Sequence, residues 1–219
     1  MSPEAISPAL PAGASLIDVH THVVPDSFPA YLGRHADVPW PSMAPAHACH
    51  RHVVVSGKVY RTMSHQCWDC AVRFACEVGL AAASMITGGT LDRVPGLRIA
   101  FSHGGGSPSL LLPRLRHAWR TVPPVRGALA GDPVDAARRM YDDDLVYDAT
   151  TIHRLIEVFG TGQILAGTDY PFTIMNDDPV GRLESLGLDA AALQQLRSGN
   201  ARRWLGLAPR SDRAAGVRA

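Results

Sequence analysis

Four short apolar runs constrain this chain more than any other feature. They lie at residues 15–20, 97–101, 144–148 and 163–167, and each is separated from the next by a helical pattern. Strands that alternate with helices form a parallel sheet in an α/β fold. Three of the runs end in side chains able to do chemistry: His20 and His22 after the first, His103 after the second, Asp169 after the fourth. In a β/α barrel the C-terminal ends of the strands form the active face.

His20-Thr21-His22 is the sharpest local signal. On a strand, positions i and i+2 point to the same side about 6.5 Å apart, so both imidazoles can aim at one ion. His103 is followed by three glycines, which let the chain turn tightly beside a ligand. It could ligate a metal or act as a general base. Asp169, in Thr168-Asp169-Tyr170-Pro171, could ligate a metal or move a proton. Asp142–Asp144 read as a solvated entry to the third strand. Arg61, Arg114 and Arg120 are candidate clamps for a substrate carboxylate.

Composition excludes more than it assigns. With 21 basic and 20 acidic residues the net charge is +1, which gives no electrostatic reason to expect nucleic acid or an anionic membrane as partner. Hydrophobic content of 46% suits a globular chain with a real core. No apolar run reaches the ~18 residues of a spanning helix. No Lys or Arg precedes Arg34, and the first 14 residues carry no apolar core, so no secretory signal is expected and the chain reads as cytoplasmic. Cys49, Cys67, Cys70 and Cys76 are then free thiols. Cys67-Trp68-Asp69-Cys70 is not followed by a second pair at zinc-finger spacing.

Along the chain, residues 1–14 read as a flexible extension, 15–207 as one domain and 208–219 as a disordered tail. Residues 25–50 lack periodicity and read as a long loop, and Ser56-Gly57 between two β-rich runs predicts a hairpin. Ser107 and Pro108 predict a helix start, with Leu111, Leu115 and Trp119 as its apolar face and a kink or late start at Pro113. Asp189 predicts a cap for a later helix. A Gly-x-Ser-x-Gly elbow is absent, which removes the α/β-hydrolase reading of His103-Gly104-Gly105-Gly106.

The motifs, in this order, resemble a known family. Ile17-Asp18-Val19-His20-Thr21-His22, Phe101-Ser102-His103-Gly104-Gly105-Gly106-Ser107, Gly167-Thr168-Asp169-Tyr170-Pro171-Phe172 and Asn200-Ala201-Arg202-Arg203-Trp204-Leu205 are similar to those of amidohydrolase-related proteins of the aminocarboxymuconate-semialdehyde decarboxylase group. The resemblance implies a TIM-type barrel holding Zn2+ or another divalent metal. It assigns His20, His22 and Asp169 as ligands and His103, with Asp169, to catalysis. It assigns Arg61, Trp68 and Arg114 to the substrate, Arg114 reaching a neighbouring subunit's site in a homodimer or larger assembly. The implied activity is non-oxidative decarboxylation of a carboxylated semialdehyde or aromatic acid. Hydrolysis of a lactone or amide at the same site is the alternative.

The resemblance is interrupted. A full barrel has eight strands in about 250 residues, whereas four core strands and an inserted hairpin within 25–67 are legible here. Ala71-Val72-Arg73 runs directly into Phe74-Ala75-Cys76, and the family's fifth-strand histidine ligand has no counterpart. The expectation is a partial barrel with two bare edges and an uncovered inner face. A catalytically weak homologue that acts through assembly is a third reading.

Overall fold

A computed structural model describes residues 16–22, 27–28, 30, 40–47, 50–62, 74–172 and 174–207. The expected extension at 1–14 and tail at 208–219 lie outside these residues, as do Cys49, Cys67, Trp68 and Cys70.

Two sheets organise the described chain. The first is antiparallel, with β1 at Pro41–His47, β2 at His50–Val55 and β3 at Lys58–Thr62 in that spatial order. The predicted hairpin is present: Val55 pairs with Lys58, and the turn residues Ser56 and Gly57 both have positive φ, at 52° and 73°. Positive φ at both central positions is the twist-matched hairpin turn. β1 corrects the reading of 25–50 as a loop. Pro41 and Pro45 hide it in the sequence, and they are tolerated because β1 is at the sheet edge.

The second sheet is parallel. β4 at Ala100–Phe101, β5 at Tyr141–Asp143 and β6 at Ile164–Leu165 are adjacent in that order. Residues 16–22 extend it on the β6 side: Val19 N–H donates to Ala166 O at 2.9 Å, and Thr21 bridges Tyr170 in parallel. The third strand is thus 141–143 and not 144–148, and Asp142–Asp144 are 0–2% exposed, not solvated. The apolar Leu145-Val146 suggested the later register, but those residues form a turn.

Helices follow the strands. They are α1 at Phe74–Thr87, α2 at Thr90–Arg93, α3 at Pro108–Thr121, α4 at Pro123–Ala128, α5 at Pro133–Ala137, α6 at Ala149–Phe159, α7 at Pro179–Glu184, α8 at Ala190–Gln194 and α9 at Asn200–Leu205. Aspartate supplies four N-caps. Asp132, Asp148, Asp178 and the predicted Asp189 accept from the N–H groups of Val134, Thr151, Gly181 and Ala192. Helix α3 starts at Pro108 despite Pro113, and Ser107 makes no side-chain cap. Its buried residues are Pro108, Ser109 and Leu112, while Leu111 is half exposed.

The parallel sheet is packed on both faces. Phe101, Ile164 and Ala166 meet Leu112, Ile152, Leu155 and Phe159 of α3 and α6. Ile17, Tyr141 and Leu165 meet Ala201 of α9 and, less buried, Trp204. Each such Leu, Ile or Phe contributes about 1.5–3 kcal/mol. The expected uncovered face is therefore not found at Ile17, Tyr141 and Leu165, which are 9%, 7% and 0% exposed. Among the described residues no helix is long and apolar enough to cross a membrane.

Candidate metal centre

The first segment and the chain after β6 are laced together by backbone bonds. Thr168 and Asp169 N–H groups donate to His20 O at 3.1 and 2.8 Å, and His22 N–H donates to Tyr170 O at 2.7 Å. Asp18 tightens the join, its Oδ1 accepting from His20 N–H at 3.0 Å and Thr168 N–H at 3.1 Å. Gly167 makes the approach possible, since a Cβ there would lie 2.8 Å from His20 Cβ and 3.2 Å from Leu145 Cδ1.

That lacing brings His20, His22 and Asp169 together. His20 Nε2 is 3.1 Å from His22 Nε2, His22 Nε2 is 2.9 Å from Asp169 Oδ1, and His20 Nε2 is 3.4 Å from the same oxygen. Donors bonded at about 2.1 Å to one ion stand roughly 3.0 Å apart in an octahedron and 3.4 Å apart in a tetrahedron. The donor set and its spacing therefore fit a divalent cation. Asp169 is buried and holds a positive φ of 61°. Such a conformation costs about 1–3 kcal/mol for a residue with a side chain.

Asp143 orients the set. Its Oδ2 lies 2.6 Å from His20 Nδ1, while its Oδ1 accepts from Gly104 N–H at 3.0 Å and Leu145 N–H at 3.1 Å. Proton donation from Nδ1 leaves Nε2 of His20 with a free lone pair toward His22 and Asp169. Burial pushes the His20 pKa down, but the hydrogen bond and charge of Asp143, aided by Asp169 and Asp18, outweigh it, and the net shift is upward. Phe172 packs edge-on against His22, with ring centroids 4.8 Å apart.

His103 stands beside this cluster, its ring centroid 5.2 Å from that of His20. Burial holds its pKa below the usual value, with His20 and His22 adding to the effect and Asp143 and Asp169 opposing it. Its backbone has a φ of 56° and opens the short turn 103–105. The loop is pinned against α1, because a Cβ on Gly106 would fall 2.7 Å from Gly79 N. A cavity of about 390 Å³ opens here, lined by His103, Cys76, Ser107, Tyr147 and Ile174 among others.

The two other aspartates of β5 and its exit are buried without a share in the cluster. Burial, with help from Asp143, pushes the Asp142 carboxyl up to about 8. Burial also raises Asp144 to about 6 against the pull of Arg182, whose guanidinium is 2.7 Å away.

The remaining sequence-derived candidates are Arg61, Trp68 and Arg114. Arg61 lies on β3 with its side chain outside the described residues, and Trp68 is outside them entirely. Arg114 is on the exposed side of α3 and lines neither the cavity nor the His/Asp cluster. Sequence reasoning missed Asp143 and gave Asp18 no role. The signal available was an Asp run lodged against an apolar run, which in a parallel strand marks buried carboxylates with partners.

A sequence model of the amidohydrolase family matches residues 72–207, more than half of the chain. The chain belongs to the amidohydrolase family. This amidohydrolase is 32% identical over 140 residues to 2-amino-3-carboxymuconate-6-semialdehyde decarboxylase of Dictyostelium discoideum, covering 63% of the chain and 39% of that protein. It is 33% identical over 96 residues to 6-methylsalicylic acid decarboxylase of Penicillium expansum, covering 43% of the chain and 30% of that protein. The chain thus spans well under half the length of the curated relatives it matches. Among solved structures, 5-carboxyvanillate decarboxylase from Sphingomonas paucimobilis superposes with a TM-score of 0.55 at 24% identity, covering 64% of this chain and 46% of that one. The likeness is one of fold, and it identifies the parallel sheet and its helices as part of a TIM-type barrel architecture.

Proposed function

We propose that this chain is a metal-dependent carboxy-lyase that removes the carboxylate of a carboxylated semialdehyde or an aromatic acid without an oxidant. The observation that carries the reading is the convergence of His20, His22 and Asp169 beside His103. The relatives support it, being decarboxylases of 2-amino-3-carboxymuconate-6-semialdehyde and of 6-methylsalicylic acid.

His20, His22 and Asp169 would hold the ion, zinc in our reading, although one structural neighbour, a dihydroxybenzoic acid decarboxylase, was crystallised with manganese. A divalent ion there supplies Lewis-acid charge and makes a proton of water available near neutral pH. His103, kept neutral by its lowered pKa, accepts a proton and passes it to the carbon that bears the carboxylate. The bond from that carbon to the carboxylate breaks, carbon dioxide leaves, and the proton takes its place. Arg61, Trp68 and, from a neighbouring copy in a homodimer, Arg114 complete the substrate site in this reading. A cytoplasmic setting is part of this reading.

A second reading is favoured by one observation: the chain spans 39% of the Dictyostelium relative and 46% of the Sphingomonas structure. On that reading the first and last three strands of the barrel remain, the middle is missing, and the chain acts through assembly with little catalysis.

Elemental analysis of size-fractionated protein, followed by a carbon dioxide release assay on carboxylated semialdehydes and hydroxybenzoates, separates the two. About one metal per chain, lost in His20→Ala/His22→Ala, together with turnover supports the lyase. Folded protein that binds no metal overturns it.

A further inference from the structure

A second cavity, of about 430 Å³, lies in the groove between α3, α5 and α6. It shares no lining residue with the cavity beside His103. Its walls repeat one pattern. Each helix supplies an apolar residue and an arginine four positions apart: Leu112 and Arg116 from α3, Val134 and Arg138 from α5 and its C-cap, and Arg154 and Val158 from α6. Arg120, one turn beyond Arg116, adds a fourth guanidinium. Spacing of four places each pair on one helix face, so apolar stems form a floor and cations a rim.

The rim is under-neutralised. Arg116 Nε donates to Asp132 Oδ2 at 2.6 Å, and Arg154 pairs with Glu157 at 2.8 Å. Arg138 donates from Nε to Val158 O at 2.8 Å and from Nη2 to Glu157 O at 3.4 Å, which satisfies hydrogens but cancels no charge. The Arg120 guanidinium has no partner among the described residues. Among the described residues, no carboxylate lines the groove. Two of the four positive charges are thus left without a counter-charge.

We propose that this groove binds an organic phosphate, a dianionic phosphate monoester with a compact apolar part. The dianion matches the two uncompensated charges, of Arg120 and Arg138, and its oxygens suit the open guanidinium of Arg120 together with the N–H groups that Arg116 and Arg138 have left. Leu112, Val134 and Val158 seat the organic part. A monoanionic carboxylate leaves one charge unmatched, and a bare phosphate leaves the apolar floor unused.

The test is calorimetric titration of the full chain with phenyl phosphate, inorganic phosphate, benzoate and phenol. Phenyl phosphate is expected to bind about tenfold more tightly than any of the other three, and Arg120→Gln to weaken it about tenfold. Arg120 is exposed and unpaired, so its replacement leaves folding intact. The same titration on His22→Ala protein tells this groove from the metal centre, and binding there is expected to be unchanged. Equal affinity for all the anions, no response to Arg120→Gln, or loss of binding in His22→Ala overturns the proposal.

Discussion

His20 Nδ1 and Asp143 Oδ2 are 2.6 Å apart although 123 positions separate them in the chain. One end of the His20 ring is thereby committed to a buried carboxylate, and the other is aimed at His22 and Asp169. Asp143→Asn removes the charge that fixes this tautomer. Metal affinity is expected to fall about 10–100-fold, read by competition with a chromogenic chelator, while the folded content by circular dichroism is retained.

Asp142 gives a pH signature of its own. Its carboxyl is raised from 3.8 to about 8 in the folded state, so folding favours the protonated form. The stabilisation is fully present below the unfolded pKa and is lost as pH rises from about 4 towards 8. Asp142→Asn mimics the protonated group. It should raise Tm more at pH 8 than at pH 5, and thermal melts across that range check it.

Gly167 has no room for a side chain. Gly167→Ala forces its new methyl against His20 Cβ and Leu145, and about 1–3 kcal/mol of stability should be lost, as read by urea denaturation. Metal binding should weaken with it, because His20 must move.

Arg182 is the counter-ion of the fully buried Asp144. Arg182→Met strands that carboxylate and should cost about 3–5 kcal/mol. Adding Asp144→Leu should recover part of the loss, since an apolar pair needs no counter-charge, the remainder reflecting the Gly167 N–H that loses its Asp144 acceptor. A double variant no more stable than the single one would show that the two residues are not energetically coupled.

How much could be read in advance depended on distance along the chain. The hairpin at Ser56-Gly57, the start of α3 at Pro108 and the Asp189 cap are local events, decided by backbone preference and by bonds to residues two or three positions away. The pairing of His20 with His22 is also local, because a strand repeats every two residues. Strand β1 escaped notice because its prolines are tolerated only at a sheet edge, and edges are a property of the assembled sheet. The register of β5 escaped because three aspartates beside Leu145-Val146 look like a solvated approach until their partners are in place.

The sequence by itself determined which chemical groups this chain carries and where its strands and helices alternate, since both follow from side-chain identity and short-range periodicity. Only the tertiary structure decided that Asp143 serves His20, that Asp144 serves Arg182 and that four arginines from three helices share one groove. Those relations join residues tens of positions apart, and they are set by how the packed sheet and helices bring distant backbone together.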